Sequence, residues 1–283
     1  MEEAGHDDHG EQGQPSLSTT RYVGEIARIL RKHLNMTQDN VGHELGYTGA
    51  AVSAMETGVQ PGSEKMLKGM DRVLLGGIPV FEASMKYLRR EKYPPQFQDF
   101  APLEQRAALL SSYQMATVHG LFQTREYARA LITGGFPVLS DQRVEDLVEA
   151  RLARRALLDR EPTALIELIV EESVLRRTIG SAEIMREQLR SLAQDAQRRN
   201  VTLQVLPLDG GPECEYAGAR GPMTVLETTD HDHLVYLEPQ DESLLISDPA
   251  KVGLYSQRYA KIRSQALSPR ESLGLIEQLA GEQ

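Results

Sequence analysis

Tryptophan is absent from the 283 residues, and cysteine occurs once, at Cys214. One thiol closes no internal disulfide and cannot supply the paired thiolates of a structural zinc site, so disulfide scaffolds and cysteine-ligated zinc modules are excluded. Long apolar runs are missing too. The longest stretch without a charged side chain, Ala107 to Thr124, carries Ser111, Gln114, His119 and Gln123, and it falls short of the roughly 20 predominantly apolar residues that cross a bilayer. No membrane partner is expected. Residues 1–20 hold no basic residue and no apolar segment of the kind a secretory signal needs, which points to the cytoplasm. An excess of positive charge is lacking as well: 31 Lys and Arg stand against 41 Asp and Glu, a net charge of -10.

What is present is an ordinary globular composition, 40% hydrophobic and 25% charged. At about 150 residues per domain, the length allows one large domain or two modest ones. The charge is unevenly spread. Residues 1–20 carry Glu2, Glu3, Asp7, Asp8 and Glu11 and nothing basic, whereas residues 21–80 are close to neutral. The first 20 residues offer too little apolar surface to offset ordering and read as a disordered acidic tail. His6-Asp7-Asp8-His9 within it has metal-ligand types, but a solvated segment is the simpler reading. No metal and no cofactor are assigned.

From Arg21 the apolar residues recur at helical spacing. Val23, Ile26, Ala27, Leu30 and Leu34 form one stripe. Thr37 is placed to cap a second helix running to Leu45, with Gly46 suited to its C-terminal stop, and Thr48 to cap a third with Val52 and Met55 inward. Pro61, Gly62 and Ser63 precede a fourth helix carrying Met66, Met70, Val73 and Leu74. Two helices of about two turns, joined by a glycine-containing turn and flanked by a helix on either side, make a helix-turn-helix. Thr37-Gln38 through Glu44-Leu45-Gly46-Tyr47, with Val52-Ser53 through Glu56-Thr57-Gly58, resembles the XRE class of repressor-like helix-turn-helix domains. That resemblance implies double-stranded DNA as partner, with the third helix in the major groove, Gln38 at a phosphate and a buried Glu56 fixing the turn. The expected groove-facing positions, Gly49, Ala50, Ala51 and Ala54, lack hydrogen-bonding groups. Phosphate contacts then fall to Thr48, Ser53, Thr57 and backbone amides, so the affinity expected is modest. Arg21, Arg28, Arg31, Lys32, Lys65 and Lys68 add charge around the rim, offset by Glu25, Glu44 and Glu64.

Residues 81–100 read as a basic linker helix, with Lys86, Arg89, Arg90 and Lys92, followed by a connector at Pro94-Pro95. Residues 101–283 read as a mixed α/β domain. Residues 101–158 are expected to be mostly helical, from Leu103, Ala107 and Leu110, then Tyr127, Leu131 and Ile132, then Val144 to Leu157. Strands are expected at 163–170, 201–208, 223–227, 234–238 and 244–246, and helices at 182–197, 249–266 and 269–279. The fold class is therefore an N-terminal all-α helix-turn-helix domain followed by a larger mixed α/β domain.

Several strings here resemble actinobacterial regulators related to WhiJ, which join an XRE helix-turn-helix to a domain of unassigned chemistry. They are Tyr93-Pro-Pro-Gln-Phe97, His119-Gly-Leu-Phe-Gln-Thr124 with Glu126-Tyr127-Ala128, Arg151-Leu-Ala-Arg-Arg155, Glu172 to Arg177, Met185-Arg-Glu-Gln-Leu189, Asn200 to Pro207 and Leu267 to Ser272. Gln96 stands where relatives usually carry Trp, and His119 where they usually carry Pro. The resemblance implies an antitoxin-like transcription regulator working with a small partner protein encoded beside it.

Catalytic candidates each have a plainer reading. Glu171 and Glu172 sit where a strand meets a turn bearing Arg176 and Arg177, which favours ion pairs over acid/base work, and His231-Asp-His233 suits a polar turn. The glycine-rich loop at 209–222 lacks a phosphate-binding signature. Cys214 lies beside Glu213 and Glu215, which disfavour a thiolate. No catalytic residue is assigned. His119, Tyr127, Cys214, Tyr216 and Arg220 are the candidates for a ligand or partner pocket. The expected function is a dimeric DNA-binding regulator whose C-terminal domain senses a partner or ligand. The alternatives are an interaction or ligand-binding protein whose helix-turn-helix no longer reads DNA sequence and, third, an enzyme built on the C-terminal domain.

Overall fold

Three hydroxyl side chains start three helices of the N-terminal unit. Thr37 accepts from the Asn40 amide at the head of α2 (Gln38–Leu45), Thr48 from Ala51 at the head of α3 (Gly49–Glu56), and Ser63 from Met66 at the head of α4 (Glu64–Leu75). Each satisfies an amide that a first helical turn leaves without a partner. Asn40 returns the bond by accepting from the Thr37 amide, and Gly46 ends α2 in the left-handed conformation, φ 74°.

This computed structural model describes residues 19–90, 97–210, 216–239 and 242–282, without the side chains of 89 and 90. The chain divides into two compact units, Met1–Glu91 and Lys92–Gln283. In the first, α1 (Thr19–His33) begins two residues before the expected limit of the tail, so Thr19 and Thr20 are helical. His6-Asp7-Asp8-His9 and the rest of the tail lie outside the described residues. Helix α5 (Val80–Arg90) corrects the linker expectation. Phe81 and Leu88 are buried in the same core as Val41, Val52, Met55 and Met70, and the amides of Phe81 and Glu82 donate to the Asp71 carboxylate at 2.7 and 2.8 Å. Phe81, Met85 and Leu88 recur at helical spacing, so α5 has an apolar face to bury and belongs to the helical unit. The Pro94-Pro95 connector lies outside the described residues.

The second unit is built on a six-stranded mixed sheet of order β3-β2-β1-β4-β5-β6. The strands are β1 (Ala107–Gln114), β2 (Leu165–Glu171), β3 (Val201–Leu206), β4 (Met223–Thr228), β5 (His233–Leu237) and β6 (Leu244–Ile246). β1, β2 and β3 run parallel, while β4, β5 and β6 join antiparallel on the other side of β1. The helices are α6 (Ala101–Glu104), α7 (Arg125–Thr133), α8 (Asp141–Ala153), α9 (Glu172–Arg176), α10 (Ala182–Asp195), α11 (Pro249–Gln265) and α12 (Pro269–Glu282). Leu110, Leu168 and Leu203 share one core with Leu189 of α10 and Ile276 of α12. From the other face, Tyr113, Ile169 and Leu206 pack with Tyr259 and Ile262 of α11. Burying one such aliphatic side chain contributes about 1.5–3 kcal/mol, so the two covered faces hold the sheet.

β1 overturns the expectation of a helix at Ala107 and Leu110. It is the strand with neighbours on both edges where the parallel and antiparallel halves meet. A strand covered on both faces shows no polar alternation, and the spacing of Leu103, Ala107 and Leu110 mimics a helical stripe. The polar residues in it are used: Ser112 Oγ lies 2.9 Å from Thr224 Oγ1 of β4.

Candidate functional site

In the helical unit, a buried ion pair holds α3 against α1. Arg31 Nε donates to Glu56 Oε1 at 2.6 Å and Nη2 to Oε2 at 2.9 Å, while Nη1 donates to the Met36 carbonyl at 2.8 Å. The hydrogen bonds and charge of Glu56 raise the Arg31 pKa against the opposing effect of burial. Gln38 Nε2 donates to Glu56 Oε2 at 2.8 Å, so the head of α2 is tied to the tail of α3. An amide NH2 carries two donors, which leaves one N–H of Gln38 for another acceptor. Arg31, expected among the rim cations, is instead structural: it is buried, and its guanidinium is directed inward by three internal bonds.

The eight residues expected to face DNA differ in exposure. Thr48, Ala50 and Thr57 are exposed, while Gly49, Ser53 and Ala54 are half-buried. Ala51, half-buried, packs against the helical core. A Cβ at Gly49 would lie 2.0 Å from Asp39 Oδ1; glycine there admits the Asp39 carboxylate beside the first residue of α3. The Thr57 hydroxyl donates to the Ser53 and Ala54 carbonyls at 2.9 and 3.2 Å. Around this face, Arg28 pairs with Glu25 and Lys68 with Glu64 and Glu82. Arg21, Lys32 and Lys65 are exposed.

In the second unit the pocket residues read from the sequence separate. Tyr127 is buried, and its hydroxyl accepts from the Val118 amide at 3.2 Å. Tyr216 reaches a different group, in which its hydroxyl and that of Tyr113 both donate to Glu171 and lie 3.2 Å apart. Arg220 is exposed on a short 3-10 turn at Ala217–Arg220. Cys214, with Glu213 and Glu215, lies outside the described residues. The correction has a simple cause: Gln114 and Tyr113 are neighbours on a strand, and neighbours point to opposite faces. Glu172 pairs with Arg176 and accepts from the Leu208 amide at 3.0 Å. His231, at φ 64°, turns the chain between β4 and β5 and contacts Glu227 at 3.0 Å.

Of the four described candidates, His119 alone lines a cavity of about 250 Å³. The cavity opens at the C-terminal end of β1, and its walls include Gln114, Thr117, Arg151, Arg154, Thr224 and Glu238. His119 Nδ1 accepts from the Leu121 amide at 3.3 Å, so the neutral ring carries its proton on Nε2. Burial, then the charges of Arg154 and Arg151, pull its pKa down to about 3. Arg154 is occupied: Nε and Nη2 each donate to Glu104 at 2.7 Å, and its guanidinium lies 4.1 Å from the centre of the Phe97 ring. Arg151 is different. Its one hydrogen bond runs from Nη1 to Gln123 Oε1 at 3.0 Å, and burial together with Arg154 lowers its pKa to about 10. Gln123 is oriented for that bond because its Nε2 donates to the Val118 carbonyl at 2.6 Å.

Sequence reasoning passed over Arg151, Arg154, Gln114 and Glu238. A signal was present for the two arginines, which interrupt an otherwise apolar face of Val148, Leu152 and Leu157; cations at inward positions ask for partners. Gln114 and Glu238 carry no such mark. Residues 97–278 match the model of a protein family described as a domain of unknown function (DUF5753). No curated protein and no solved structure matches the chain.

Proposed function

The chain belongs to the DUF5753 family, and we propose that here this domain is the sensing half of a dimeric, cytoplasmic DNA-binding transcription regulator of the XRE, WhiJ-related type. One observation carries the reading. Helices α2 and α3 are joined by Gly46-Tyr47-Thr48 and locked by the Arg31–Glu56–Gln38 network, which is how a helix-turn-helix keeps its second helix at a fixed angle to the first. Thr48, Ala50 and Thr57 lie on the outside of that second helix, and the Gln38 amide keeps a donor at the head of α2. With Ala50 and Ala54 in place of bidentate readers, affinity rests on backbone, hydroxyl and long-range charge contacts, plus contact of alanine with thymine methyls. Two copies would meet half-sites about one helical turn apart. The second unit would supply the signal through its cavity or through a small partner protein.

The test is binding of the whole protein to the DNA upstream of its own coding sequence, against a scrambled duplex of equal length, at two salt concentrations. Preference for the upstream DNA is expected, and Ala50→Lys and Ala54→Arg should each tighten binding and steepen the salt dependence by about one counterion. Equal binding to both duplexes, with no response to either substitution, would overturn it. The Asp39 carboxylate beside Gly49 favours a second reading, because a negative charge at the head of α3 opposes phosphate. On that reading the helical unit is an interaction module, and deletion of residues 1–91, the whole unit, would leave partner capture by the second unit intact.

A further inference from the structure

We propose that the cavity of the second unit binds a small zwitterion, an α-amino acid or a molecule built on one, with its carboxylate on Arg151 and its ammonium toward Glu238. The assignment deepens the sensing half of the reading above and rests on that reading only for its regulatory meaning.

Two opposite charges line this cavity without being spent. Among the described residues, Arg151 makes a single neutral hydrogen bond and no ion pair. Arg151 is half-buried, and a cation so placed without an opposite charge beside it is one that a bound anion would stabilise. Glu238 also lines the cavity and is held by a hydrogen bond from Tyr236, yet it pairs with no cation among the described residues. The two feel each other's charge but do not touch, so the gap between them lies inside the cavity. A small molecule carrying both charges would bridge it.

The other polar groups narrow the choice. Arg154 is consumed by Glu104 and Phe97, leaving Nε and Nη2 of Arg151 as the open guanidinium donors. Nε2–H of His119 has no partner among the described residues, and as a neutral donor it suits a carboxylate oxygen without adding charge. A phosphate dianion would face one open guanidinium and the Glu238 carboxylate, a poor match for a group that favours several cations. A simple amine would face Arg151 and Arg154 and be repelled. At about 250 Å³, the cavity lies just below the roughly 300–1,000 Å³ of sites for drug-sized ligands, which fits a metabolite. Its place agrees: β2 leaves one side of β1 and β4 joins the other, and open α/β sheets bind ligands beyond strand ends at such a switch point.

The test titrates each standard α-amino acid into the whole protein by calorimetry, then repeats the best binder as its decarboxylated amine and as its deaminated acid. One or a few amino acids are expected to bind, with the amine and the acid each at least about tenfold weaker. Glu238→Gln, at an exposed position, and Arg151→Lys, which keeps the charge but loses the fork, should each weaken binding by about tenfold or more. Circular dichroism of both variants checks folding. Absence of binding by every amino acid at about 10 mM, well above a metabolite-range Kd, would overturn the proposal. So would an acid that binds as tightly as its amino acid with no effect of Glu238→Gln. The DNA assay on the same preparation separates the outcomes: lost ligand binding with retained DNA preference sinks this inference alone, and the reverse sinks only the reading of the helical unit.

Discussion

Replacing Glu56 by alanine tests the claim that an internal ion pair, rather than apolar packing alone, fixes α3. Glu56 is 3% exposed and Arg31 9%. In Glu56→Ala the guanidinium keeps only the Met36 carbonyl, and Gln38 loses its acceptor. Removing one member of a buried pair costs about 3–5 kcal/mol, because the charge left behind is neither solvated nor paired. At about 1.4 kcal/mol per tenfold, amide exchange in α1 and α3 should speed up by between about two and four powers of ten. The two units are separate cores, so exchange on the whole protein is a better assay than one melting curve. Amides of β2 and β3 provide the reference and should not change. The double variant Arg31→Met with Glu56→Leu removes both charges and should recover most of the loss, since apolar replacement of a buried pair is often neutral or stabilising. A single substitution costing under about 1 kcal/mol, or a double variant no better than the single, would refute the reasoning.

Three further outcomes follow from the packing and the charges. Gly24→Ala would place a Cβ 2.4 Å from the Met55 carbonyl oxygen and 2.7 Å from that of Glu56; the backbone must shift, and a loss of about 1–3 kcal/mol is expected in exchange of the same helices despite the better helix former. Ser63→Ala removes the side chain that caps α4 and bonds Tyr47, and should cost about 1 kcal/mol, read as faster exchange at the head of α4. His119 ionises near 3 in the folded chain against 6.5 ordinarily. The unfolded chain therefore binds the extra proton between those values, and stability is complete above pH 6.5 and falls as the solution is acidified. About 2 kcal/mol should be gone at pH 5; His119→Asn should flatten that slope in urea titrations of the second unit, and an unchanged slope would count against a neutral buried imidazole.

Much of the helical unit was legible because its signals are local. Thr37, Thr48, Ser63 and Gly46 act on residues within four positions of themselves, and each sits where the sequence places it. The strands from β2 onward were legible for the same reason, being apolar runs bounded by turn residues. β1 was not, because its burial is decided by α11 on one face and a distant core on the other. Helix α5 reads as a linker because its charges are conspicuous; Phe81, Met85 and Leu88 recur at helical spacing in the sequence, but that this face joins the helical core is set by tertiary contacts such as those to Asp71. The candidate cavity was the least legible. Gln114, Arg151 and Glu238 lie far apart in sequence, and what singles out Arg151 and Glu238 is that neither meets an opposite charge among the described residues, a property no local pattern encodes.

The position of β1 also sets an order of events during synthesis. It pairs with β4, and Ser112 meets Thr224 from 112 residues away. A ribosome adding about 5–20 residues per second needs on the order of ten seconds to pass from Gln114 to Thr228. The helices of residues 19–90 make mostly short-range contacts and can form well within that interval. For those seconds the nascent chain carries a finished helical unit and a central strand whose β4 edge stays unpaired, and whose β2 edge is unpaired as well until Glu171 is made; unpaired edges are the form of a sheet most open to association with other chains. A stall within this window would expose that edge for as long as it lasts.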